Sequence, residues 1–183
     1  MNKLKSVLCA ALLACVLAAP ASADIVVSVV PASQNVNLGD IFAVDIVADI
    51  PANEAIIGWG LDLTLSAPAL LTQIGPPSIS SPWSPLASID GDDLAASQEF
   101  PPDGVSGDDI VLATIVFQAA AFGSTDLILS DDNPLDTTEG FVLADLSGFG
   151  TVVYNDGLVN VVPEPATLAL LGFGALALIR RRR

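Results

Sequence analysis

Between Asp24 and Glu164 the chain has no lysine, arginine, histidine or cysteine. The missing histidine and thiol exclude an imidazole-assisted serine, a thiolate nucleophile and a thiolate metal site, and the missing lysine excludes Schiff-base chemistry. Without a cation, that stretch cannot clamp a transferring phosphoryl group or neutralise a nucleic-acid backbone, so nucleic acid is excluded as a partner. Aromatics make up only 5% of the chain, too few for the row of stacking rings that an extended sugar-binding groove uses. A carboxylate pair alone could still hydrolyse a glycoside, but no pair is set apart from the many acids present, and we expect no enzyme.

What is present is acid. All but one of the 21 Asp and Glu residues fall between Asp24 and Val162; the exception is Glu164, so that segment carries a formal charge of −20. Self-repulsion of this size weakens a compact state unless salt or divalent cations screen it. Three acidic turns are candidate calcium ligands, since calcium takes hard oxygen donors. They are Asp90, Asp92 and Asp93; Asp108 and Asp109; and Asp131 and Asp132 beside Asn133. None matches the regular twelve-residue calcium loop, and solvated turn acids would look the same.

The two cysteines, Cys9 and Cys15, lie in an apolar run from Val7 to Ala19 that follows Lys3 and Lys5. Ala21-Ser22-Ala23 then supplies the small residues of a signal peptidase site. Residues 1–23 therefore read as a cleaved signal peptide, with Ala21 and Ala23 at the cleavage site. A lipidated Cys15 is the rival, but Leu13 is bulky for a lipobox and the apolar run continues past the cysteine.

At the other end Pro165 suits the first turn of a helix, with Glu164 complementing its positive N-terminus. The fourteen residues Ala166 to Ile179 would span about 21 Å as a helix, short of the roughly 30 Å hydrocarbon core. Length alone would make this a buried core helix. The terminal Arg180, Arg181, Arg182 and Arg183 instead favour a membrane helix, because they would snorkel to head groups and hold the C-terminus in the cytoplasm. Pro163-Glu164-Pro165, the short apolar segment with Gly172 and Gly174, and the arginine cluster together resemble the PEP-CTERM sorting signal of Gram-negative bacteria, over residues 162–183. The resemblance implies processing by an exosortase, a membrane cysteine transpeptidase. It also implies a transient membrane anchor and export across the inner membrane to the periplasm, outer surface or exopolysaccharide-rich matrix.

Residues 24–162 read as one domain. Phe42, Val44 and Ile46 alternate with Ala43, Asp45 and Val47, and Trp59, Leu61, Leu63 and Leu65 alternate with Gly60, Asp62 and Thr64, the period of half-buried strands. Further strands are expected at Ile25 to Val30, Val36 to Leu38, Leu70 to Ile74, Ile110 to Ala119, Leu127 to Leu129 and Phe141 to Leu143. Thr151 to Tyr154 and Leu158 to Val162 should form a final hairpin about Asn155-Asp156-Gly157. Between Gly75 and Gly107, Pro-, Ser- and Asp-rich sequence predicts an exposed loop region. About nine strands without a useful amphipathic helix predict an all-β jelly-roll sandwich.

Val29 and Pro31, Leu38-Gly39-Asp40 leading into Phe42-Ala43-Val44-Asp45-Ile46, Ile57-Gly58-Trp59-Gly60-Leu61-Asp62-Leu63, Leu112-Ala113-Thr114-Ile115-Val116-Phe117 with Gly123, and Asp156-Gly157-Leu158-Val159 follow the order of landmarks in cohesin domains. The segment is similar to a cohesin. The resemblance implies docking of a surface or secreted protein through one sheet face. The alternative it implies is a carbohydrate-binding module acting on exopolysaccharide, for which Trp83, between Pro82 and Pro85, is the candidate stacking ring; Trp59 should be core.

Overall fold

The alternating run Phe42-Ala43-Val44-Asp45-Ile46 lies in a ten-residue strand, Ile41–Ile50, at the centre of the largest sheet. Val44, Ile46, Ala48 and Ile50 point into the core, each no more than 2% exposed. Burying a side chain of this size contributes about 1.5–3 kcal/mol. On its outer face Asp45 accepts a 2.6 Å hydrogen bond from the Thr114 hydroxyl of the neighbouring strand.

The computed structural model describes residues 24–88, 91–100, 102–131 and 139–164. Ala21, Ala23, Asp90, Asp132, Pro165 and Arg180 to Arg183 lie outside the described residues, as do the expected signal peptide and membrane helix. Among the described residues no helix is long and apolar enough to cross a membrane. The strands there are β1 Ile25–Val30, β2 Ser33–Asn37, β3 Ile41–Ile50, β4 Ile56–Gly60, β5 Asp62–Leu65, β6 Leu71–Gln73, β7 Ser78–Ile79, β8 Ser84–Leu86, β9 Ala95–Ser97, β10 Gly107–Ala119, β11 Gly123–Ser130, β12 Gly140–Leu143, β13 Val152–Asn155 and β14 Gly157–Val162.

They form three sheets: β13-β1-β3-β10-β6 with β7 also on β10, then β2-β14-β11-β5, then β12-β4-β9-β8. One continuous apolar cluster draws on all three, from Ile25, Ile46 and Ile115 through Leu127 and Val159 to Trp59, Ala96 and Phe141. The fold is therefore all-β, as expected. The strand count is fourteen among the described residues rather than nine, because one expected strand divides between two sheets and the 75–107 segment contributes three short strands, β7, β8 and β9. Trp59 to Leu65, expected as one strand, divides at Leu61 into β4 and β5, which pair in different sheets.

The expected final hairpin is corrected. β13 and β14 do not pair with each other: β13 runs parallel to β1, with Tyr154 opposite Val27, and β14 runs parallel to β2, with Val161 opposite Val36. Asp156 marks the crossing from one sheet to another, and its carboxylate accepts the Leu129 N–H at 3.0 Å. Gly157 is needed there for space rather than for a left-handed turn, since a Cβ on it would lie 2.6 Å from Val29 Cγ1.

The 75–107 segment is also corrected. It supplies the short strands β7, β8 and β9 and drives Trp83, Leu94, Ala95 and Ala96 into the interior, each no more than 5% exposed. A proline-rich stretch can satisfy few ladder bonds, yet its apolar side chains still cover the core.

Candidate functional site

Opposite partners in a sheet point to the same face. In the β12-β4-β9-β8 sheet, Phe141, Trp59 and Ala96 are mutual partners, and all three are buried in the core. The next row, Val142, Gly58, Ser97 and Ser84, therefore faces outward. Small residues in that row leave the outer face low, and a groove of about 240 Å³ runs over it, lined by Ile57, Gly58, Leu86, Ser97, Val142 and Phe149 among others.

Phe149 is held over this face by a tight turn after β12. Leu143 N–H donates to Gly148 O at 3.0 Å, Gly150 N–H donates to Phe141 O at 2.8 Å, and Val142 bridges Phe149. Asp145 closes the turn by accepting the Ser147 N–H at 2.9 Å, and the Ser147 hydroxyl and amide hold this exposed carboxyl below its usual value. Gly140 makes room for the ring, since a Cβ there would sit 2.7 Å from Phe149 Cδ1. The result is an aromatic side chain 61% exposed beside Leu86, itself 43% exposed. Neither residue was singled out from sequence; the available signal was a phenylalanine enclosed by two glycines, Gly148 and Gly150.

Trp83 is not a stacking ring. It is 5% exposed and packs in the core cluster, with its indole Nε1 buried and without a hydrogen-bond partner. The loop between Pro82 and Pro85 carries the ring inward, so the expectation of an exposed ring is corrected. Trp59, 2% exposed, is core as expected.

The acids expected at calcium sites lie on three separate elements. Asp92 accepts the Leu94 N–H at 2.9 Å and the Asp93 N–H donates to Ser88 Oγ at 3.0 Å, both just before β9. Asp108 and Asp109 sit on a bulge of β10, where the Asp109 N–H donates to Asp49 Oδ1 at 2.8 Å. Asp131 follows β11 near Tyr154. Burial, then the carboxylates of Asp131, Glu139 and Asp62, push the Tyr154 phenol far above its ordinary value. Its hydroxyl is buried without a partner at full hydrogen-bond geometry. Among the described residues no three His, Cys, Asp or Glu side chains are arranged to hold a metal.

The architecture is that of a cohesin-like β-sandwich. It is similar to a chain of the CaDoc0917–CaCohA2 complex, with a TM-score of 0.55 and 14% identity over 75% of this chain and 99% of that one. It is likewise similar to a non-cellulosomal cohesin from the hyperthermophilic archaeon Archaeoglobus fulgidus, with a TM-score of 0.53 and 16% identity over 80% and 97% of the two chains. No curated protein matches the chain in sequence. Residues 161–183 match the PEP-CTERM protein-sorting motif. The described domain thus has a cohesin-like fold, and the chain carries a C-terminal PEP-CTERM motif, which implies export and sorting to the cell surface.

Proposed function

We propose that the module is non-catalytic and docks a partner protein on the outer face of the β12-β4-β9-β8 sheet, while its C-terminal motif delivers it to an exosortase at the envelope. The observation that carries this reading is the groove beneath Phe149, an apolar strip on a domain whose charged side chains are all acidic. Exposed aromatic anchors over a shaped apolar floor are what hot spots of protein interfaces are made of. The absence of any lysine or arginine from residues 24–164 favours a partner with a neutral or basic rim.

A Ser97→Cys variant would place the sole thiol of residues 24–164 on the groove floor. Labelled with a photoreactive maleimide and exposed to envelope and matrix extract, it should crosslink to one discrete protein, and Phe149→Ser should abolish the band. Crosslinking that is unchanged by Phe149→Ser, or retention on protease-treated polysaccharide, would sink the docking reading.

A further inference from the structure

The sorting motif does not hang from a free linker. Its matched region begins at Val161, which is still inside β14, pairs with Val36 and Gly123, and is 3% exposed. Val162 pairs with Asn37, and Pro163 and Glu164 follow at once. At that end of the sandwich two turns stand beside the departing chain. One is the β2–β3 turn carrying Leu38 and the other is the β10–β11 turn carrying Phe122. They are tied together by Gly39 N–H to Ala119 O and Ala119 N–H to Asp40 O, both 2.9 Å. Asp40 also accepts the Asn37 N–H at 2.8 Å.

This frame holds large apolar side chains out to solvent. Leu38 is 44% exposed, Phe122 53% and Val162 37%. Leu38, Phe122, Pro163 and Glu164 line a shared hollow of about 270 Å³. The patch is continuous with the first residues of the matched motif, Val161 to Glu164.

We infer that the sorting enzyme recognises a composite surface, in which Leu38 and Phe122 of the folded domain are gripped together with Pro163 and Glu164. This rests on the sorting reading above. The partner is a protein face with apolar pockets and a cation opposite Glu164. A lipid surface fits less well, because Asp40 and Glu164 lie at the same end and no lysine or arginine of residues 24–164 is available to anionic head groups.

The test follows conversion of the full-length precursor in the producing bacterium by pulse-chase, with limited proteolysis reporting that each variant is folded. The Leu38→Ser/Phe122→Ser pair should slow conversion about tenfold, as expected for losing apolar anchors from a recognition surface. Leu38→Met/Phe122→Leu, which keeps the apolar area, should be processed at the normal rate. Glu164→Ala should accumulate precursor. Normal processing of the serine pair while Glu164→Ala is blocked would overturn the composite surface and leave the sorting reading standing. Normal processing of both would overturn the sorting reading too. Slow processing of the Met/Leu pair, or Leu38- and Phe122-dependent binding of the processed protein to phosphatidylglycerol vesicles, would also overturn the inference.

Discussion

Tyr154 is the chain's one tyrosine, and residues 24–164 contain no lysine, cysteine or histidine, so it is the one side chain there that titrates above neutrality. Its folded pKa is raised by burial and by Asp131, Glu139 and Asp62. Above the unfolded value near 10 the unfolded chain loses a proton that the folded one keeps. The stability linked to Tyr154 is therefore present below about pH 10 and is lost as pH rises beyond it. Tyrosinate absorbance should appear together with alkaline unfolding rather than before it, and Tyr154→Phe should flatten the stability profile above pH 10. A free titration near pH 10 in the folded protein would refute this. A second expectation concerns Gly157. In Gly157→Ala the new Cβ meets Val29, a core residue 1% exposed, so the crossing strand must shift at a cost of about 1–3 kcal/mol, measurable by urea denaturation.

Elements were legible where one face is buried along the whole strand. Phe42, Val44 and Ile46 announce β3 because a slip of one residue would turn all three to solvent. The fate of Asn155-Asp156-Gly157 was not legible, since the same residues serve a two-strand turn and a crossing between sheets. What decides is the pairing of Tyr154 with Val27, 127 positions away in the chain. Trp83 failed for a related reason: prolines predict irregular backbone, not which way the loop folds. The groove was hidden because it depends on β12 meeting β4 and on the turn that aims Phe149. That dependence is testable at Gly140, whose φ is +105°. Gly140→Ala strains the backbone, by about 1–3 kcal/mol, and displaces the Phe149 ring. Partner crosslinking through Ser97→Cys should fall as it does in Phe149→Ser, whereas Phe149→Ser should leave stability almost unchanged.

At the scale of the molecule, the two ends of the domain close it. β1 and β2 run beside β13 and β14 in parallel, the first pair of segments in one sheet and the second in another. β14, the last strand among the described residues, therefore both completes the sandwich and carries the first residues of the sorting motif, which ties exposure of the Leu38 and Phe122 end to a finished sandwich. Against this closure works a segment charge of −20 with no cation to offset it. Repulsion among exposed carboxylates reaches about 30 Å at 0.01 M salt but only about 3 Å at 1 M, so screening should relieve the folded state more than the expanded one. Melting temperature should climb with sodium chloride by roughly 4 °C for each kcal/mol recovered. Calcium compared with sodium at equal ionic strength separates screening from binding. An equal rise for both salts assigns the effect to the diffuse charge. A larger, saturable rise with calcium, removed by chelation, assigns part of it to acids such as Asp92, Asp108 and Asp131. A melting temperature indifferent to salt would mean that the acids are spaced widely enough not to oppose folding, and would remove the charge argument.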